Sequence, residues 1–278
     1  MKKAFLYLLI LSCLMWVSCS KENLNPKRFL LNDITYINLT TNLPEYKEIY
    51  EYNTEGKITE FIAHDWDSLG VERLLSKATY EYNSGQIIRN SFDQNNSLVY
   101  VAYMTLGSNG FVNREEFYSS GSMFHERNFL YNNDGYLLNM EEYDYANLIY
   151  TLTTNEIQNE NTYKEVSQYT YSDGSTYSIS YENRFDQNLS NPFSSTNLVV
   201  KGGFPTINFG FYGRPNKNFI TNIDEQDVYT DGSIYYNAYK LKYTIDGNGN
   251  IESMIYSLGN GDGTYSDYKV QLNYLTIN

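Results

Sequence analysis

Tyr50-Glu51-Tyr52-Asn53-Thr54-Glu55-Gly56-Lys57-Ile58 decides the fold. It reads as strand, tight turn, strand. Successive side chains of a strand point to opposite faces. The run Glu45 to Tyr52 therefore sets Tyr46, Glu48, Tyr50 and Tyr52 on one side and Lys47, Ile49 and Glu51 on the other. A three-residue hairpin loop is a type I turn closed by a residue in the left-handed region. Glycine adopts that conformation without a Cβ penalty. An Asn at the start can bond the backbone two residues on.

The pattern recurs. Leu106-Gly107-Ser108-Asn109-Gly110-Phe111-Val112, Tyr131-Asn132-Asn133-Asp134-Gly135-Tyr136-Leu137 and Ile245-Asp246-Gly247-Asn248-Gly249-Asn250-Ile251 keep the spacing, and Tyr82-Asn83-Ser84-Gly85-Gln86-Ile87 is one residue shorter. Gly56, Gly85, Gly110 and Gly135 are 29, 25 and 25 residues apart. A period in this range signals a repeat architecture. Two strands of about 8–10 residues and two turns fill it, so each repeat is one hairpin. Polar connections at Asp65 to Glu72, Asp93 to Ser97 and Ser119 to Ser122 are expected at the opposite end, with further hairpin turns at Asp173-Gly174 and Asp231-Gly232 and a loop over Asn155 to Asn161. Composition agrees. The chain has thirty tyrosines and six alanines, and Tyr favours pleated, half-buried surfaces whereas Ala favours helices.

The start of the chain reads as a leader. Lys2 and Lys3 precede an apolar run from Ala4 to Val17, and Ser18-Cys19 follows. That run is too short to span a bilayer comfortably, and the layout is that of a secretory signal. A cysteine just after the cut resembles a bacterial lipoprotein signal, which implies a diacylglycerol on its thiol. Ile10-Leu11-Ser12-Cys13 fits the usual letters better, but cutting there would leave Leu14, Met15, Trp16 and Val17 as an apolar start. Position therefore favours Cys19. With Lys2 and Lys3 gone with the leader, the net charge of −13 becomes −15. Such acidity argues against nucleic acid and against peripheral binding to anionic lipid. An aromatic content of 17% argues against disorder.

The hairpin rhythm lapses from about Asn183 to Asn222, which holds three of the five prolines and a run of aromatics that includes Phe211 and Tyr212. We read this stretch as an excursion that packs over the sheet or plugs one end, with room for a short helix. The domain plan is then a signal peptide over 1–18, a lipid-anchored tether over 19–42, and one all-β domain over 43–278 with an irregular insertion at 183–222.

Short Tyr-Asn/Asp-x-x-Gly-x-Ile/Leu hairpins behind such a leader resemble the YD-repeat-like lipoproteins of Bacteroidota, in particular a family of unknown function with a porin-like fold. The turns above, Asn191-Pro192-Phe193 with Gly213-Arg214-Pro215-Asn216-Lys217-Asn218, and the Tyr243-to-Ile251 hairpin carry the resemblance. The family offers no catalytic residues to transfer. A membrane-spanning barrel needs a continuous apolar outward band. Charge on both faces, as in Asn113-Arg114-Glu115-Glu116, argues for a soluble one.

Chemistry-bearing groups are few. His64 and His125 are the only histidines and read as solvated strand or loop residues. With Cys19 acylated no thiol is left for a His/Cys zinc site. The pairs Glu115-Glu116, Glu141-Glu142, Asp65 with Asp67, and Asp224-Glu225 read as solvated charge, since adjacent strand residues face opposite ways. Asp246-x-Asn248-x-Asn250 resembles the start of a calcium loop but reads more simply as a hairpin turn. Tyrosine rows such as Tyr80 with Tyr82, Tyr143 with Tyr145, and Tyr169 with Tyr171 could stack sugar rings or simply pack across strands. Trp66 and Tyr212 are the candidate ligand contacts.

The expectation is an all-β antiparallel meander of hairpins forming a curled or barrel-like, porin-like sheet. It belongs to a non-enzymatic, lipid-anchored outer-membrane protein on the periplasmic or surface side that binds a glycan or envelope partner. No metal or cofactor is expected. The alternative is a carbohydrate-active hydrolase using paired carboxylates.

Overall fold

The computed structural model describes residues 28–67, 70–190, 197–201, 204–208, 211–212, 214, 216–247, 250–259 and 265–277. The chain divides into a compact unit, Leu31–Asn273, and a small one made of its two ends, Met1–Leu30 with Tyr274–Asn278. The larger unit holds every strand except the outer ends of the first and the last.

Every regular element among the described residues is a strand. Sixteen strands form one closed barrel. In chain order they are β1 (Arg28–Asn38), β2 (Leu43–Tyr52), β3 (Ile58–Trp66), β4 (Glu72–Asn83), β5 (Gln86–Asp93), β6 (Leu98–Leu106), β7 (Val112–Ser119), β8 (Ser122–Tyr131), β9 (Leu137–Asp144), β10 (Ile149–Gln158), β11 (Asn161–Thr170), β12 (Thr176–Ser190), β15 (Asn218–Val228), β16 (Ile234–Ile245), β17 (Ile251–Gly259) and β18 (Tyr265–Ile277). Each pairs with its sequence neighbour, except that β12 pairs with β15 across a separate two-stranded hairpin, β13 (Asn197–Lys201) with β14 (Phe204–Asn208). The barrel closes where β1 meets β18. There Asn273 Nδ2 donates to Asp33 Oδ1 at 2.7 Å.

The turns follow the chemistry read from the sequence. Asn53 Oδ1 accepts from the backbone N–H groups of Glu55 and Lys57, and Asn132 Oδ1 from those of Asp134 and Tyr136. Gly56, Gly85, Gly110 and Gly135 all have positive φ, between 75° and 87°. The tyrosine before the turn has a role the pattern did not announce. Tyr52, Tyr82 and Tyr131 donate their hydroxyls to the carbonyls of Leu31, Ile58 and Val112, each at the start of the preceding strand. The side chain thus ties successive strands together where the ladder ends.

Three expectations are corrected. The segment expected to be tether up to residue 42 is a strand from Arg28, because Ile34 and Tyr36 are needed as buried wall on the closing edge. The insertion is narrower than 183–222. β12 keeps pairing with β15 through Arg184↔Asn222 and Asp186↔Phe219, so strand structure extends to Ser190 and resumes at Asn218, and no helix occurs there among the described residues. The loop expected over Asn155 to Asn161 is strand as far as Gln158. The turn, Asn159-Glu160 with both residues at positive φ, falls inside the expected loop but is shorter, since no glycine marks its place.

Side chains alternate between lumen and exterior. Ile34, Tyr50, Ala102, Met104, Glu115, Ile223, Met254 and Val270 are wholly buried, and cross-strand register places them on one face. The other face carries charged pairs, among them Lys77–Glu60, Arg114–Glu126 and Arg184–Asp224. A closed barrel of sixteen strands has a lumen too wide for short wall side chains to fill. Tyr, Arg and Glu reach further and end in polar tips, which accounts for the chain's unusual composition.

Candidate functional site

The meander gives the barrel two ends. Turns that follow even-numbered strands up to β10 lie at one of them. The described residues of the 211–217 segment cross this end as a strap. Val112 N donates to Phe211 O at 2.8 Å, Arg214 N to Gly135 O at 2.8 Å and Lys217 N to Glu160 O at 3.1 Å, so the strap bonds three successive turns or their borders. Tyr212 descends from it into the lumen. Its ring lies 5.0 Å from that of Phe129, and its hydroxyl approaches Met104 Sδ at 4.0 Å. Burial holds that phenol well above the usual tyrosine range.

A charged cluster lies on the wall near Tyr212. Register aligns Met104, Glu115, Arg127 and Glu142 across β6 to β9, with Arg89, Ala102, Phe117 and His125 in the next row. Glu115 is fully buried. Its two oxygens lie 3.8 Å from Arg89 Nη2 and 3.6 Å from Arg127 Nη1, contacts too long for hydrogen bonds. Arg127 Nε is bonded to Glu142 Oε2 at 2.6 Å, and His125 Nε2 lies 3.5 Å from Glu142 Oε1. Both guanidinium groups pack over the Phe117 ring, at 5.5 and 5.2 Å. Burial pushes the Glu142 carboxyl up, but His125 and Arg127 outweigh it and hold it at about 2. Buried charge is tolerated only when paired, and here two carboxylates share two arginines.

Arg89 also belongs to a cavity of about 460 Å³. The row Tyr50, Phe61, Ala78, Ser91 and Tyr100 crosses five strands in register. Small residues at Ala78 and Ser91 leave a slot between Phe61 and Tyr100. Glu48, Tyr80 and Arg89 add polar groups to its walls. Arg89 Nη2 donates to the Tyr100 hydroxyl at 3.1 Å. Burial raises the Glu48 carboxyl above its usual range, against the lowering effect of hydrogen bonds from Tyr50 and Tyr46.

The two predicted contact residues are not brought together. Tyr212 lies in the lumen. Trp66 ends β3 at the opposite end, half-buried, paired with Glu72 and outside the cavity lining. Cys19 lies outside the described residues. His125 is corrected: it is not a solvated residue but part of the lumen cluster, its ring 4.9 Å from Phe117. Glu115 and Glu142 are corrected likewise, being wall carboxylates inside the lumen, while Glu116 pairs with Arg114 outside. Asp246 caps its own turn, accepting from Asn250 N at 2.8 Å. Arg89 and Arg127 were missed. Their signal was phase, since Glu115 alternates with the buried Phe117 as Arg127 does with Phe129.

Similar solved structures bear on the fold. The crystal structure of a porin-like protein from Bacteroides uniformis matches with a TM-score of 0.64 at 18% identity, covering 90% of this chain and 99% of that one. A porin-like protein from Bacteroides vulgatus matches with a TM-score of 0.59 at 13% identity, covering 88% and 98%. The chain has the porin-like fold that the resemblance implied. No protein-family model matches the sequence, and no curated protein does.

Proposed function

We propose that this chain is a lipid-anchored envelope protein of the outer membrane, anchored at Cys19, whose porin-like barrel stands in water and binds a small ligand, a glycan fragment, in the cavity at Tyr50, Phe61, Ala78, Ser91 and Tyr100. The cavity carries the reading. It is pre-formed, lies inside the wall, and combines aromatic faces with Glu48 and Arg89, the mix that orients a ring bearing hydroxyls. The charged exterior supports a barrel in water rather than in lipid.

Binding is favoured over hydrolysis by what the carboxylates do. Asp93, across the cavity from Glu48, accepts backbone N–H bonds from Asn95 and Ser97 and is committed to its turn. Glu115 and Glu142 are held by arginines. The test is calorimetry with a panel of mono- and oligosaccharides on the wild type and on Ala78→Trp, which fills the slot. Binding lost in the variant supports the reading, and binding unchanged overturns it. Fatty-acid labelling that persists in Cys19→Ala would refute the anchor.

A further inference from the structure

The exposed apolar side chains are distributed unevenly. Of the fifteen large ones among the described residues, all but Leu130 and Leu275 lie in the turns of the end away from the strap or within the first four residues of strands leaving it. Large exposed apolar patches on a soluble protein mark contact surfaces. Two adjacent hairpins there carry nearly the same letters: Tyr171-Ser172-Asp173-Gly174-Ser175-Thr176-Tyr177 and Tyr229-Thr230-Asp231-Gly232-Ser233-Ile234-Tyr235. Because β12 pairs with β15, the two turns sit side by side, and Thr176 N donates to Thr230 Oγ1 at 3.0 Å.

This pairing lines up the rings. Tyr169 and Tyr177 are 5.5 Å apart, Tyr177 and Tyr229 4.7 Å, and Tyr229 and Tyr235 5.5 Å, a strip running across both hairpins. Tyr235, paired with Asp227 on the face of the strip, is 60% exposed, whereas Tyr236 points to the opposite face. Neither 169–177 nor 227–236 contains a Lys or Arg, whereas Asp173, Asp227 and Asp231 all lie within them. Asp173 and Asp231 are held below the usual carboxylate range by their hydrogen bonds to Ser175 and Ser233. The strip thus joins electron-rich ring faces to fixed negative charge with no cation of its own, which is the complement of a guanidinium or ammonium group. Tyr is also among the residues enriched at protein interfaces.

We propose that this strip, separate from the lumen cavity, is a docking surface for a basic segment of a partner protein, whose Arg or Lys side chains stack on Tyr229 and Tyr235 beside Asp173 and Asp231. Arginine is the better fit, because its planar group stacks on aromatic faces.

Fluorescence anisotropy of the full chain with labelled hexa-arginine amide, in about 0.15 M salt so that long-range attraction is screened, tests this. The paired change Tyr229→Ser with Tyr235→Ser leaves the net charge unaltered and removes two exposed rings of the strip, and a thermal melt checks that the variant is folded. It should weaken hexa-arginine roughly tenfold, while the corresponding Phe variants bind like the wild type. Hexa-lysine should bind more weakly than hexa-arginine. No binding of hexa-arginine, or equal binding by the Ser variant, overturns the proposal. So does binding of maltohexaose that is lost in the Ser variant, which would make the strip a glycan platform. Ala78→Trp should leave hexa-arginine binding unchanged, which separates this proposal from the cavity reading.

Discussion

The two ends of the barrel use the same turn chemistry for different purposes. At the strapped end, Gly135, which lies under the strap residue Arg214, has φ +87°, and a Cβ there would meet Phe111 Cε2 at 2.8 Å and Arg214 Cγ at 3.4 Å, whereas Gly85 and Gly110 at that end have open space. At the other end, Gly174 and Gly232 have φ +83° and +81° with open space around them. The strapped end turns its aromatics inward: Tyr212 packs on Phe129, and Phe211 approaches Tyr80 at 6.2 Å. The far end leaves Tyr229 and Tyr235 exposed at its rim and Tyr236 exposed on the outer face. A turn whose neighbours are filled is committed to holding the barrel together, whereas one with free space can be given over to contact. Position within the tertiary structure, more than turn type, assigns the role.

The sharpest way to break this comparison is to remove charge from beneath the strap. Arg127→Ala should cost about 3–5 kcal/mol by urea unfolding, because Glu115 and Glu142 lose a partner inside the lumen. On the exterior, Arg184→Ala should cost under about 1 kcal/mol.

Acid should act on the same cluster. Glu142 is held at about 2, below its ordinary 4.5, so its contribution is complete above about pH 4.5 and is lost as pH falls through about 2. That contribution is on the order of 2–3 kcal/mol. Unfolding free energy followed from pH 5 to pH 2 should fall less steeply in Glu142→Gln than in the wild type.

Gly135→Ala should destabilise by about 2 kcal/mol or more, combining left-handed strain with the Phe111 clash. Gly174→Ala carries the strain alone, at about 1 kcal/mol. Equal melting-temperature shifts for the two would remove the distinction between a turn held under the strap and an open one. A similarly small effect is expected for Tyr131→Phe, which loses the hydroxyl bond to the Val112 carbonyl at a cost of about 1 kcal/mol.

Much of this fold was readable because it is local. The Asn53, Asn132 and Gly135 positions state a turn in their own letters, and alternation around Tyr50 states a strand. The β10–β11 turn was readable only as a broad loop over Asn155 to Asn161, because Asn159-Glu160 has no glycine to fix its place. The strand from Arg28 was not readable, since it is defined by closure onto β18 rather than by a turn of its own. Of the candidate residues, Tyr212 was visible as an aromatic where the repeat lapses. Arg89, Arg127 and His125 were hidden among letters that look equally suited to solvent.

The sequence by itself determined that this chain is a series of antiparallel hairpins, where most of them turn, and which stretch departs from the rule. Those facts depend on backbone preferences within a few residues. Only the tertiary structure decided that the sheet closes, and therefore which face of each strand is lumen. It also decided that Glu115 lies buried between two arginines while Glu116 faces out, and that two distant Tyr-x-Asp-Gly-Ser hairpins stand side by side. Register across sixteen strands settles these points, because it brings together residues tens to hundreds of positions apart.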